Sequence, residues 1–232
     1  MKKKVSSKKQ SVKKATKKAE PIKKEENKKL NLNEFSLQLG LVDYINPILY
    51  AITIITIIRN TPYNLFLLIG AILSILFGLI IPTGKVLVGL KKIKFKMPVS
   101  LVFCVNTGIL LSGLTLLKYA INLKTILLIL LLILIITFLA LIYISRKKMN
   151  TIAVLTGAFG YLLLYTSLIA LSIKKGLTLP IVLYCIAILL FLMLCTIGIK
   201  ANLKKPKVHW VIEVSNILCQ LLVAIGTLVL FH

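Results

Sequence analysis

The chain has 232 residues, is 58% hydrophobic, and sets 30 Lys+Arg against 6 Asp+Glu for a formal net charge of +24. Soluble domains of this size interleave charged and apolar residues, whereas here 13 lysines crowd into residues 1–35 and apolar runs fill most of the remainder. That separation excludes a soluble enzyme, a disordered chain and a disulfide-framed module, and leaves an all-α polytopic membrane bundle.

Lysine pairs recur in the first segment at 3–4, 8–9, 13–14, 17–18, 23–24 and 28–29. A step of five residues turns an α-helix by about 500°, so successive pairs share no face. With little apolar content and strong self-repulsion, residues 1–35 are expected to be a disordered cytoplasmic tail attracted to anionic headgroups. No aromatic residue interleaves with the lysines before Phe35, so no base-stacking platform exists and no specific nucleic acid is expected. The tail is too long and too polar for the head of a cleavable signal, so the first apolar run is expected to stay in the protein.

About 20 apolar residues cross a hydrocarbon core. Residues 36–232 contain seven segments that meet this length: Leu39–Ile58, Tyr63–Ile81, Val99–Leu117, Thr125–Ser145, Ile152–Ile173, Leu177–Ile199 and Val208–Phe231. Arg59-Asn60-Thr61-Pro62 reads as a tight hairpin, and Pro82 and Pro98 bracket the longest internal loop. In that loop Lys85 to Lys96 alternates basic with apolar residues, as an interfacial segment facing headgroups does. With the N-terminus inside, 25 Lys+Arg fall on the cytoplasmic side and 5 outside, which predicts an N-in, C-out bundle. The expected location is a bacterial cell membrane.

Individual spans differ. The fourth is almost pure Leu and Ile, with Thr137 as its polar exception, and reads as peripheral. Gly70, Ser74 and Gly78 in the second, and Ala153, Gly157 and Tyr161 with Thr156 and Gly160 in the fifth, form small-residue stripes on which helices approach closely. Cys104, Cys185, Cys195 and Cys219 lie in apolar runs without Cys-x-x-Cys spacing and read as small hydrophobes.

Three ionisable groups are candidates for the membrane interior: Asp43, His209 and Glu213. In the first span Asp43, Asn46, Tyr50 and Thr53 share a helix face. In the last span His209, Glu213, Asn216 and Gln220 do the same. Neither face suits lipid, so the two are expected to meet each other or water near the cytoplasmic edge, with Asn106 and Thr107 as further candidates. Pro47 removes the donor for the Asp43 carbonyl and adds a bare oxygen beside the carboxylate. No intramembrane Lys or Arg is expected to pair with the acids. They would be neutral, paired with His209, or compensated by a proton, a cation or a cationic substrate.

Two ligand types on one helix fall short of a metal motif, so neither metal nor cofactor is expected. With His209 and the terminal His232 as the histidines and no evident nucleophile–base pair, no catalytic residue is assigned. The residues carry no known family's signature: a seven-span sugar transporter would show a Pro-Gln motif, and a rhodopsin a lysine in its last span. Two readings remain. One is a small cation- or proton-coupled permease using Asp43, Asn46, His209, Glu213, Asn216 and Gln220. The other is a non-catalytic accessory subunit whose polar stripes hold the bundle or dock a membrane-protein partner.

Overall fold

The computed structural model describes residues 32–90, 98–146, 149–200 and 206–232. Among these it is helical throughout, with eight helices: α1 (Leu32–Asp43), α2 (Ile45–Asn60), α3 (Leu65–Gly89), α4 (Val99–Ile121), α5 (Thr125–Arg146), α6 (Met149–Lys174), α7 (Thr178–Lys200) and α8 (Pro206–Phe231). Six segments are long and apolar enough to cross a bilayer: Leu37–Asn60, spanning α1 and α2, and stretches of α3, α4, α6, α7 and α8. The chain is thus a helical, multi-pass membrane protein. The expected tail lies outside the described residues up to position 31, as do 91–97 of the expected interfacial loop and residues 147–148 and 201–205.

Local chemistry sets the helix ends. The Asn64 side chain caps α3, accepting from the N–H groups of Phe66 at 2.9 Å and Leu67 at 3.4 Å. The first span is broken where Pro47 denies Asp43 its i+4 donor: α1 stops at Asp43, and α2 resumes at Ile45 after a single turn residue. Pro82 behaves differently. The sequence reading ends the second span at Ile81, but α3 continues through Pro82 to Gly89. Neighbouring helices in a membrane support a backbone that proline interrupts. Here that neighbour is α1: Gly40 sits against the Val86 backbone and Gly89 against Leu37, leaving no room for a Cβ at either glycine.

Packed pairs close a ring in the order α2, α3, α4, α6, α7, α8 and back to α2, so the first and last spans are neighbours. Among the described residues α5 packs against α6 and α4 alone. Lipid removes the hydrophobic drive between spans, so close backbone approach carries the association. Gly70 faces Gly108 and Ser112 across the α3–α4 contact, and Gly160 faces Leu110 and Gly113 across the α4–α6 contact. Buried hydroxyls turn back on their own helices: Ser112 donates to the Gly108 carbonyl, Thr156 to Ile152 and Ser172 to Leu168. The aromatic centre of the core is Tyr165 with Tyr161 and Phe191.

At the far end of the chain, the Lys175 ammonium donates to the Leu230 carbonyl at 2.8 Å and sits 4.8 Å from the centre of the Phe231 ring. A cation on the last carbonyls of a helix offsets its dipole. Lys175→Met should therefore fray the end of α8 and lower stability by about 1 kcal/mol, measurable as faster amide exchange over residues 228–232 with the core unchanged.

Candidate functional site

Where α1 breaks, Asp43 is left at a helix terminus facing two other spans. Its Oδ2 accepts from the Lys85 ammonium on α3 at 2.7 Å, and the same ammonium lies 3.7 Å from Glu213 Oε1 on α8. The Asn46 amide, at the start of α2, donates to Asp43 Oδ1 at 3.4 Å and to Glu213 Oε2 at 3.2 Å. The first and last spans thus meet through their polar faces. Both carboxylate side chains are 13% exposed and that of Lys85 is 24% exposed, so the three charges are largely withdrawn from solvent. Two carboxyl groups meet one ammonium.

This geometry corrects one expectation. The acids do have a basic partner, and it comes from the stretch read as a loop. Because α3 runs on past Pro82, Lys85 lies on a helix held against α1. The Tyr44 hydroxyl pairs with Thr83 Oγ1 at 2.6 Å and fastens the α1–α2 break to the same stretch of α3. Gly40 governs the approach, since an added Cβ would lie 2.9 Å from the Val86 backbone nitrogen. Gly40→Leu should lower thermal stability in detergent, and combining it with Lys85→Met should add little more, because both changes break one contact.

The remaining candidates divide. Asn216 lines a cavity of about 160 Å³ together with Asp43, Asn46, Tyr50, Ser74 and Tyr161. Gln220 is buried, 3% exposed, with its side chain facing the Tyr161 hydroxyl. His209 is half-buried on α8, one turn before Glu213. Thr53 donates to the Leu49 carbonyl and Asn106 to the Ala153 carbonyl at 2.6 Å, so both serve the packing. The Thr107 hydroxyl is buried without a hydrogen-bond partner. Among the described residues no three His, Cys, Asp or Glu side chains converge as metal ligands.

Two atoms at the cavity are unsatisfied: Asn46 Oδ1 and the hydroxyl of Tyr50, a residue only 4% exposed. Asn46 turns its amide nitrogen to the carboxylates, which leaves its oxygen as a bare acceptor. The Tyr50 hydroxyl faces Ser74 and Ser112, and those serines donate to the Gly70 and Gly108 carbonyls. A separate groove of about 370 Å³ at the α2–α3 turn is lined by Tyr63, Asn64, Lys118 and Asn122; none of the candidate residues reaches it.

No protein-family model, curated protein or solved structure matches this chain.

Proposed function

We propose that the chain is a small cation- or proton-coupled permease whose coupling centre is the Asp43–Glu213 pair. One observation carries the reading: carboxylates from the first and last spans converge on a single ammonium beside a polar cavity. Charges in a membrane span are costly and are retained chiefly where they do work. With Lys85 neutralising one carboxylate, one negative charge is left for an incoming proton or cation. Its arrival loosens the hold of Lys85, which ties α3 to α1 and α8, and of the Asn46 amide, which ties α2 to α8. That gives the ligand different contacts in two arrangements of the same helices, the requirement for coupling.

In this reading α5 completes seven spans, and the basic tail and loops lie on the inner face of a bacterial cell membrane against anionic headgroups. Each tail lysine contributes about 1 kcal/mol at such a surface. The accessory-subunit alternative has its own support, because Lys85 already gives the acids a partner within the fold and sparsely packed α5 leaves a face for another membrane protein.

The two separate in vesicles. Asp43→Asn and Glu213→Gln, reconstituted with the parent protein, should keep their unfolding midpoints within a few degrees while ion- or pH-driven uptake falls tenfold or more, a change of about 1.4 kcal/mol in barrier. Lost folding together with lost co-purification of a partner, and no uptake by the parent, would establish the accessory role instead.

A further inference from the structure

The cavity beside the carboxylates has a second property: its lining combines polar and apolar side chains. Asp43, Asn46, Tyr50, Ser74, Tyr161 and Asn216 are its polar residues, and Pro47, Ile81, Val105 and Ile109 supply carbon surface. Asn46 Oδ1 and the Tyr50 hydroxyl are buried without a hydrogen-bond partner. Leaving such groups unpaired is unfavourable; the amide oxygen requires a donor, and the hydroxyl can accept from the same one. About 160 Å³ is room for about five water-sized atoms, too small for most drug-like ligands.

We propose that this cavity binds a small primary amine in its ammonium form, with the N–H donors on Asp43, Asn46 Oδ1 and Tyr50 and a short alkyl body on Pro47, Ile81, Val105 and Ile109. The protein carries a version of this ligand already. The Lys85 side chain is a primary ammonium on an alkyl stem, and it docks on Asp43 at 2.7 Å from the neighbouring side. A free amine competes with it for the same oxygens. The inference deepens the permease reading by naming the substrate class, and it rests on that reading's assignment of this site as the binding centre.

Titration calorimetry on the full chain in detergent, at constant ionic strength, provides the test. Butylammonium should bind saturably at one site per chain, at least tenfold more tightly than sodium or tetramethylammonium, which offer no N–H donors. Tyr50→Phe, which removes one acceptor and no volume, should weaken butylammonium about tenfold without moving the unfolding midpoint. Ile109→Trp should abolish binding by filling the pocket. Sodium binding as tightly as butylammonium, or butylammonium affinity unchanged in Tyr50→Phe, overturns the proposal, as does the absence of saturable binding. Failure is separable from that of the permease: ion-driven uptake persisting without amine binding removes only the substrate class, while amine binding without any uptake removes only the transport.

Discussion

Lys85→Met should be the most damaging single change at the charged cluster, more so than loss of either acid. It leaves two carboxylates, each 13% exposed, sharing one Asn46 amide with no positive charge between them. Removing one partner of a buried ion pair costs about 3–5 kcal/mol; partial exposure places this site at the lower end. For a chain of this length about 3 kcal/mol corresponds to a fall of roughly 6–12 °C in the unfolding midpoint. Glu213→Gln should cost far less, since Lys85 keeps its 2.7 Å contact with Asp43. Asp43→Asn should fall between, because the 2.7 Å contact is lost and the longer 3.7 Å contact with Glu213 remains. Combining Lys85→Met with Asp43→Asn and Glu213→Gln should recover most of the lost midpoint, since no uncompensated charge is left. Scans at one fixed rate in one detergent give the comparison, because unfolding of such proteins is commonly irreversible. If Lys85→Met leaves the midpoint unchanged, the ammonium contributes nothing to the fold. If the triple variant is stable yet inactive in uptake, the charges are kept for function.

The parts of this cluster that were legible in the sequence were those that lie along one span. Periodicity placed Asp43 with Asn46 and Tyr50, and Glu213 with Asn216, because residues three, four and seven apart share a face. Lys85 was not legible. A proline three residues before it and lysines just beyond it read as a chain leaving the membrane, and what overrides that reading is the fit of α1 against α3 at Gly40 and Gly89. Such contacts are set by two helices at once and leave no trace in the pattern of one. The glycines of α4 show the same limit. Gly108 and Gly113 are five residues apart, about 140° around the helix, so they form no stripe; each serves a different neighbour, α3 and α6 respectively. Thr53 is the converse case, placed on the polar face by spacing but satisfied by the Leu49 carbonyl.

Gly160→Ala should be strongly destabilising although it adds a single methyl group. The new Cβ would lie 2.6 Å from the Leu110 nitrogen, 2.9 Å from its Cα and 3.0 Å from the Ile109 carbonyl carbon. All three are backbone atoms of α4, so no side chain can swing aside and the two helices must part. From the other side, a Cβ on Gly113 would meet the Gly160 carbonyl oxygen at 2.7 Å. Overpacking costs about 1–3 kcal/mol where neighbours relax; between two backbones in the most extensive helix contact of the bundle the upper end applies, a fall of roughly 6–12 °C. Gly78→Ala is the control, since its Cβ would meet only the Pro47 side chain, at 3.3 Å, and its midpoint should stay within about 2 °C of the parent. Gly176→Ala is a second control of different origin: nothing lies within 4 Å, but φ is +69°, so it should lose about 1–2 kcal/mol through backbone strain without touching the packing. The α4–α6 contact also sets the cavity, because Ile109 stands on one helix and Tyr161 on the other. Forcing them apart should therefore weaken butylammonium binding in Gly160→Ala and leave it intact in Gly176→Ala. Equal losses of affinity in the two variants would mean that binding follows general stability and not the spacing of these helices.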